Sequence, residues 1–513
     1  MKEKTYKKLG FFSALSICIG SVVGIGIFFK NGSISNAVSG DGTSWILTWL
    51  ISGIIAFLIA IHFGRIASID NNGLPGLSGW AQSIATKKQN WFRHLVTINY
   101  SFFYNSLLII VISFFTVEIF ANLLKIINPS IIMPMYAIVI LTIALMFFNI
   151  TINKISVKTS GIFSSVTTIV KFIPLTVCAV AGIIFANTHN SGGTNGFVDG
   201  DGLSFIDSFQ GIMKSLPAAL FAFDAFVGVG SMSRKIKGGE KVVSKVIVFS
   251  MLFIVVSFLF ISISAILHYD PNTSSSIEQI LSDIFSSDVG KFLTPVIMFF
   301  LLASAAGTTN SITGSAISEF ENISRDEKVF FSKELNEKFN YKITSTIYIS
   351  ISLTIWSLAS FIPVLITDSD SFIDGLSNIA VLFFFIVYGI LIFLYWKNIY
   401  MKNKITSKSR VPYTVLVFIS VIGAWSSMIL SFFSTMMAAI QFPNKASSWG
   451  FLISGDGISN LVVFIIYLIF IVIFILLPLI NWMLFKNKKE YNIFQSIDNK
   501  IIPLSVYSNS SNK

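Results

Sequence analysis

An apolar run from Phe11 to Phe29 contains the segment Gly20-Ser21-Val22-Val23-Gly24-Ile25-Gly26-Ile27-Phe28. It carries three glycines within seven positions, and each costs about 1 kcal/mol relative to alanine inside a helix. Irregular backbone is tolerated at membrane depth only where it is buried in protein or lines a water-filled cavity, because lipid cannot satisfy free N–H and C=O groups. The segment therefore predicts a break in the first span.

These glycines allow two interpretations. Gly24 and Gly26 would let a ligand contact the main chain, with the N–H groups and positive end of the second half-helix facing an anion such as a carboxylate. Alternatively, Gly20 and Gly24 have the GxxxG spacing that lets membrane helices pack closely. Taken alone, the segment supports both interpretations about equally.

The composition indicates a polytopic membrane protein. The chain has 513 residues, of which 54% are hydrophobic and 12% charged, and its mean hydropathy is +0.77. A helical span needs roughly 20 apolar residues, and about 12 such windows fill most of the chain. No room is left for a soluble catalytic domain, and the sequence contains no Ser/His/Asp triad, phosphate-binding loop or metal-ligand pattern. We therefore expect a protein that is not an enzyme and that holds neither a cofactor nor a metal.

The distribution of positive charge predicts the topology. If the spans alternate in direction, one side of the membrane collects 30 of the 36 Lys and Arg residues. Five fall on the other side: Lys30, Lys125, Lys214, Lys291 and Lys445. By the positive-inside rule the number of spans is even and both termini are cytoplasmic. We expect a multi-pass protein in the lipid bilayer of the plasma membrane, and we assign the net charge of +11 to topology rather than to nucleic-acid binding.

A second interruption is predicted in the sixth span, from Phe209 to Ser231. This span contains Ser215-Leu216-Pro217 and then Phe221-Ala222-Phe223-Asp224-Ala225-Phe226-Val227-Gly228-Val229-Gly230. It lies five spans after the first, and paired Gly/Pro-broken segments in two halves indicate a transporter built from inverted repeats. Because five is odd, the second repeat enters the membrane from the opposite face. The pairing favours a binding site over simple helix packing.

Lys171 lies near the middle of the fifth span, in Ile169-Val170-Lys171-Phe172-Ile173-Pro174. Ionisable groups at that depth are costly and are candidates for function. If Lys171 is charged only when a proton arrives, it can do the work of a bound sodium ion. The alternative is a lysine that snorkels or pairs with a helix C-terminus. Ser304, Thr308 and Thr309 of the eighth span offer hydroxyls to an ion or a broken helix, although such groups commonly bond their own backbone.

Two acidic residues are also singled out by their positions. Asp224 in the sixth span either meets the amine or a cationic side chain of a ligand, or caps a half-helix by accepting backbone N–H bonds. The neighbouring Phe221 and Phe226 either close over a substrate or pack in the core. Glu118, near the outer end of the third span, is expected to be solvated.

The motifs together resemble those of the amino acid, polyamine and organocation (APC) superfamily of permeases. Gly20 to Phe28 is similar to its first-helix motif, and Phe221 to Phe226 is similar to its sixth-helix break. Lys171 to Pro174 resembles its fifth helix, and Ser324-Arg325-Asp326 resembles the loop after its eighth. The resemblance covers most of the first ten spans. It implies an all-α, LeuT-like fold with about 12 transmembrane helices, two inverted five-helix repeats and broken helices 1 and 6.

On that fold the chain divides into six parts. They are a cytoplasmic N-terminus (1–9), the first inverted repeat with spans 1–5 (10–186), an external loop (187–207), the second inverted repeat with spans 6–10 (208–398), spans 11 and 12 (399–485), and a cytoplasmic tail (486–513).

The resemblance also implies a function. It implies a secondary active transporter that imports an amino acid by alternating access, as a monomer or weak homo-oligomer, with proton symport through Lys171. An exchanger or facilitator on the same fold, or an amino acid sensor that does not transport, is the alternative. The substrate carboxylate would meet main-chain N–H groups of the first break. The implied substrate-binding residues are Ser21, Val23, Gly24, Ile25, Gly26, Phe221, Ala222, Asp224 and Phe226, and those for proton coupling are Lys171, Ser304 and Thr308.

The sequence departs from the superfamily's pattern at three places. Ala225 and Val227 stand where the sixth-helix motif usually has a glycine and an acid. Arg234-Lys235 replaces an acidic pair just past that helix, and Ser318-Glu319 lies where a basic residue is common. These departures concern side-chain specificity and the inner gate rather than the fold.

Overall fold

The computed structural model describes residues 8–69, 74–186, 204–268, 288–402, 407–447 and 458–486. Most of the predicted N-terminal segment, external loop and C-terminal tail therefore lies outside the described residues. Within them, eleven helices are long and apolar enough to cross a membrane. The interrupted first span, which is divided into two shorter helices, brings the number of spans to the expected twelve.

The first repeat contains helices α1 to α7. They are α1 (Phe11–Val22) and α2 (Ile25–Ala37) in the first span, α3 (Gly42–Ala67) in the second, the short α4 (Gly76–Ile84), and α5 (Asn90–Ile127), α6 (Met135–Ile155) and α7 (Thr159–Ile184) in the third to fifth.

The second repeat and the last two spans contain helices α8 to α16. They are α8 (Phe205–Phe223) and α9 (Gly228–Ser231) in the sixth span, α10 (Gly239–Leu267), α11 (Phe292–Arg325), the short α12 (Ser332–Phe339), α13 (Tyr341–Thr367), α14 (Ser371–Tyr400), α15 (Val411–Gln441) and α16 (Asn460–Leu484).

Both predicted interruptions are confirmed. The first span leaves helical geometry at Val23, which is extended, and resumes at Ile25 after Gly24. The sixth span is non-helical between the end of α8 and the start of α9. Ala225 in this second break has a φ of 71°, in the left-handed region that costs a residue with a Cβ atom about 1–2 kcal/mol. The superfamily's usual glycine at this position would avoid that cost.

Helix packing brings equivalent spans of the two repeats together. The α2 half of the first span packs against α8 of the sixth, and α3 of the second span packs against α10 of the seventh. The third and eighth spans are likewise in contact, as are the fourth and ninth. The two breaks therefore meet at the centre of the bundle, where Cys18 of α1 reaches the carbonyl oxygen of Phe226 at 3.7 Å.

Two expectations from the sequence are wrong. Lys30, counted among the external charges, lies within α2 and is 1% exposed. Glu118, expected to be solvated, is also 1% exposed. For Lys30 the reason is the break, because Ile25 to Phe29 supplies only about 7.5 Å of helix. That length is too short to carry the next residue out of the membrane.

Candidate functional site

A small cavity lies between the two breaks. Its volume is about 10 Å³, which is room for about one water molecule. It is lined by Ser21, Val22, Gly26, Leu108, Ile112, Phe221, Asp224, Ala225, Thr308 and Ile312. The bundle is therefore closed around this point, and its helices must separate before a larger molecule can enter.

The glycines of the first break combine the two interpretations drawn from the sequence. A Cβ atom on Gly26 would lie 2.7 Å from the Cα atom of Ala222, and one on Gly24 would lie 2.3 Å from Thr308 Oγ1. These short distances mean that close packing is by itself a sufficient reason for glycine at both positions. The first N–H groups of α2, at Ile25 and Gly26, also have no acceptor within the helix, and Gly26 lines the cavity. An anion at this point would meet free donors and the positive end of a helix.

Lys171 forms hydrogen bonds with both the end of α1 and the eighth span. Its side chain is fully buried, and Nζ donates to the carbonyl oxygens of Val23 at 2.5 Å and Gly20 at 3.2 Å. The same nitrogen lies 3.4 Å from Thr308 Oγ1, and that hydroxyl also donates to the Val23 carbonyl at 3.2 Å. The ammonium thus satisfies carbonyls that the helix end leaves without partners.

Ser304 does not join this group of hydrogen bonds. Its hydroxyl has no hydrogen-bond partner among the described residues, although its carbonyl oxygen lies 3.1 Å from Thr308 Oγ1 and competes with the Val23 carbonyl for the single O–H of that residue. Ser21, the other candidate hydroxyl, donates to its own helix at the Ile17 carbonyl, 2.8 Å away. Of the hydroxyls proposed for coupling, the structure brings only Thr308 to Lys171.

Asp224 joins three spans through its carboxylate. Tyr104 of the third span donates to Oδ2 at 2.6 Å, and Tyr388 of the tenth span donates to Oδ1 at 3.1 Å. These donors differ from the predicted cap, in which the N-terminus of the following half-helix would supply the N–H groups. Nothing in the sequence around Tyr388 marked it as a partner.

Of the two aromatic candidates, only Phe221 contacts the cavity. Phe226 is fully buried away from the lining, with its ring centroid 6.2 Å from those of Phe63 and Tyr388. Ala222 contributes the backbone surface against which Gly26 packs.

On the α2 side, a buried ion pair covers the cavity. Lys30 Nζ contacts the Asp374 carboxylate of α14 and lies 4.9 Å from the centroid of the Phe221 ring. It also donates to Ser377 Oγ at 3.0 Å and Asn378 Oδ1 at 3.3 Å. This buried pair contradicts the expected position of Lys30 among the external charges.

On the α1 side, Glu319 of the eighth span forms hydrogen bonds with residues of α4 and α9. Its carboxylate accepts from Ser78 of α4, and from Ser231 at the end of α9 at 2.6 Å. The side chain is fully buried. These bonds join α4 and the end of α9 to the eighth span.

The unusual basic pair that follows α9 has acidic partners. Lys235 Nζ lies 2.9 Å from Glu321 Oε2, and Arg234 lies 3.6 Å from Asp326 Oδ2. The basic pair is thus neutralised by acids late in the eighth span and just after it. Among the described residues, no group of three His, Cys, Asp or Glu side chains could hold a metal ion.

This architecture defines a class of membrane protein. A helical bundle in which the first and sixth spans are interrupted beside a central cavity is the LeuT fold of secondary transporters. The crystal structure of MhsT in complex with L-phenylalanine shares it with a TM-score of 0.57 and 14% sequence identity, covering 82% of this chain and 98% of that one.

The chain belongs to the amino acid permease family, whose sequence model matches residues 9–453. Its relatives include the serine/threonine exchanger SteT of Bacillus subtilis (strain 168), which is 25% identical over 263 residues, 51% of this chain and 55% of SteT. The b(0,+)-type amino acid transporter 1 of Mus musculus is 26% identical over 220 residues, 42% of this chain and 41% of that protein. The matches thus span about half the length of these relatives. They confirm the APC resemblance, and both family and fold are those of transporters rather than enzymes.

Proposed function

We propose that this protein is a secondary active transporter of the plasma membrane that imports an amino acid by alternating access in symport with a proton. The observation that carries the proposal is the position of Lys171. A single buried ammonium bridges the carbonyl end of α1 and the eighth span, so a change in its charge acts on the interrupted helix directly.

The substrate is proposed to bind between the two breaks. Its carboxylate would accept hydrogen bonds from the N–H groups of Ile25 and Gly26, and its amine would donate to carbonyl oxygens near the breaks. Its side chain would lie against Phe221. The location of the cavity beside Gly26 and Phe221 supports this arrangement. Asp224 would shape the pocket, since Tyr104 and Tyr388 already donate to its carboxylate.

The coupling step follows from the hydrogen bonds of Lys171. When protonated, its three N–H groups can hold Gly20, Val23 and Thr308 together. Loss of the proton removes both the charge and one donor, which weakens the attachment of α1 to the eighth span. The α1 half can then move, opening the site to the side of the N-terminus, which the distribution of charge predicts to be cytoplasmic.

An exchanger on the same fold is the second candidate, favoured by the name of its relative SteT, a serine/threonine exchanger. In that case Lys171 would stay charged and would only stabilise the site. A sensor that binds an amino acid without moving it would share the same pocket. All three candidates predict binding of an amino acid, and they differ in flux.

The candidates are separated by uptake into proteoliposomes. A thermal-shift screen of the purified full chain against the common amino acids and polyamines would first identify the ligand. Radiolabelled ligand is then offered to vesicles that contain no internal amino acid, with and without an imposed inward proton gradient. Symport predicts accumulation that requires the gradient. Transport that ignores the gradient and requires internal amino acid would establish exchange, and binding without flux would establish a sensor.

Replacing Lys171 by alanine tests the coupling role. We expect Lys171→Ala to abolish gradient-driven uptake while retaining much of the equilibrium binding, because the N–H groups proposed to hold the substrate carboxylate belong to Ile25 and Gly26, whereas Lys171 contacts Gly20, Val23 and Thr308. Lys125→Ala provides the control, since Lys125 is exposed at the end of the third span. Unchanged gradient-driven uptake by Lys171→Ala would exclude the coupling role.

A further inference from the structure

A second cavity lies near the end of the bundle that carries the N-terminus. Its volume is about 10 Å³, which is room for about one water molecule. Five of the side chains that line it are polar and uncharged, and each of them is at most 8% exposed. They are Asn153 of α6, Ser160 and Ser164 of α7, and Asn310 and Ser311 of α11. We call this space the polar cavity.

The hydroxyl of Ser164 brings an unpaired proton to the polar cavity. Asn310 Nδ2 donates to Ser164 Oγ at 2.8 Å, and Ser311 Oγ donates to the same atom at 3.1 Å. Ser164 Oγ is the acceptor in both contacts, and within the described ranges no atom accepts its own O–H. A buried O–H without an acceptor costs about 1–3 kcal/mol. A water molecule in the cavity would supply that acceptor.

Gly20 of α1 connects the polar cavity with Lys171. A Cβ atom on this residue would lie 3.2 Å from Ser311 Oγ, 3.0 Å from Thr168 Oγ1 and 3.9 Å from Lys171 Nζ. A single methyl-sized position is therefore within contact distance of a cavity hydroxyl and of the ammonium. The Gly20 carbonyl also accepts from Lys171 Nζ at 3.2 Å. A side chain on this residue would separate the ammonium from the hydroxyls.

The hydroxyls of α7 follow the same face of that helix as Lys171. Ser160, Ser164 and Thr168 are four residues apart, and Lys171 comes three residues later, so all four side chains lie on one face. The distance along the helix from Ser160 to Lys171 is roughly 16 Å. Polar groups thus continue from the first turn of α7 to the buried ammonium.

The other end of the polar cavity approaches solvent. Lys235 lines the cavity, and its backbone carbonyl accepts from the N–H of Leu9 at 2.9 Å. Lys235 Nζ lies 2.9 Å from Glu321 Oε2, and Lys154 Nζ lies 3.7 Å from Glu321 Oε1. The Glu321 side chain is 16% exposed, so its carboxylate is accessible to water outside the bundle. These three charged groups stand at the exit of the cavity, whereas α1 carries no charged residue.

We propose that the polar cavity holds water and is the route by which Lys171 exchanges its proton with the side of the N-terminus. The proposal rests on the proposed symport. The Lys171 ammonium gives one proton to a water molecule beside Gly20 and becomes a neutral amine. Each water or hydroxyl along Ser311 and Ser164 then accepts one proton and releases another. The last proton passes to the Glu321 carboxylate or to bulk water.

Radiolytic labelling in heavy-oxygen water tests whether the cavity holds water. X-ray exposure of the full chain in detergent converts water molecules, including bound ones, into hydroxyl radicals that oxidise the side chains beside them. Met232 lines the polar cavity and is 6% exposed, whereas Met428 of α15 is 8% exposed and lines neither cavity. We expect Met232 to be labelled several times faster than Met428. Equal or slower labelling of Met232 would show that the proposal is wrong.

A matched pair of variants tests the route. Ser311→Val and Ser311→Thr introduce side chains of nearly equal shape, of which only threonine keeps a hydroxyl. Gradient-driven uptake requires release of the proton in every cycle, whereas exchange of labelled for unlabelled amino acid at equal pH lets the protein return with both ligands bound. We expect uptake by Ser311→Val to be at least about tenfold slower than uptake by Ser311→Thr, with similar rates of exchange.

Equal uptake by the two variants, or an equal loss of uptake and exchange in Ser311→Val, would show that the hydroxyls only join the helices, and the route would be excluded. If neither variant folds, Ser164→Ala is measured in the same way, with Thr151→Val as the control because Thr151 is exposed and bonds its own helix. Absence of gradient-driven uptake in the unsubstituted protein would overturn the proposed function and this route together. Slow labelling of Met232 would overturn the route alone.

Discussion

Replacing Tyr104 with phenylalanine removes the hydroxyl that donates a hydrogen bond to the Asp224 carboxylate and changes little else. The hydroxyl lies 2.6 Å from Asp224 Oδ2, and the two residues are 1% and 2% exposed, so bulk water cannot take its place. A hydrogen bond to a charged group contributes about 1.5–3 kcal/mol. We therefore expect the folding equilibrium constant to fall by about 10- to 150-fold. Tyr388→Phe removes the longer bond of 3.1 Å and should cost less.

The assay is reversible unfolding of the full chain in mixed detergent micelles, arranged as a double-mutant cycle. Tyr104→Phe and Asp224→Asn are measured singly and together, because non-additive free energies of unfolding isolate the interaction between them. Tyr136→Phe is the control, since this tyrosine of the fourth span is 62% exposed. Its free energy of unfolding should change by less than about 0.5 kcal/mol.

The cycle also separates the two roles of Asp224. If Tyr104→Phe costs under about 0.5 kcal/mol and adds simply to Asp224→Asn, then the hydroxyl does not hold the carboxylate and the structural argument fails. If Asp224→Asn remains folded and alters which amino acids bind, Asp224 contacts the substrate. A loss of folded protein alone would show that its role is to join the three spans.

Two further perturbations test packing and charge. Gly26→Ala places a methyl group 2.7 Å from the Ala222 main chain, and thermal unfolding should show a loss of about 1–3 kcal/mol in the free energy of unfolding. Gly10→Ala is the control, because there is open space around Gly10. Equal stability of the two variants would refute close packing of the broken helices. Asp374→Asn leaves the Lys30 ammonium buried without its counter-ion, and the same measurement should show a loss of about 3–5 kcal/mol in the free energy of unfolding. An unchanged melting temperature would show that the ion pair does not contribute to stability.

The sequence predicts the two breaks because their cause is local. Glycines weaken the first span at its break and the sixth span just after its break, whatever surrounds them, whereas Pro217 lies within the continuous helix α8. Because lipid offers no hydrogen bonds, the freed backbone groups must be buried within the protein or line a water-filled cavity. The position of Lys171 follows for a similar reason, since a lysine at the centre of an apolar span must find acceptors inside the protein.

The errors arise where a contact depends on helices distant in sequence. Lys30 pairs with Asp374, 344 positions away, and no local pattern relates them. The length of α2 was nevertheless available as a signal, because five residues after the break cannot reach the membrane surface. The position of Glu118 near the outer end of its span predicts exposure to solvent, although the tightly packed third span buries it. The ion pairs of Arg234 with Asp326 and of Lys235 with Glu321 likewise join segments that are distant in sequence.

We propose that main-chain groups at the two breaks hold both the carboxylate and the amine of an amino acid. The binding of three matched compounds tests this proposal. The measurement compares, on the purified full chain, the affinities of the amino acid identified by thermal shift, its decarboxylated amine and its deaminated acid. We expect the amino acid to bind and each of the other two compounds to lose at least about tenfold in affinity, since each leaves buried polar groups unpaired. Equal affinity for the amine or the acid alone would contradict the proposal.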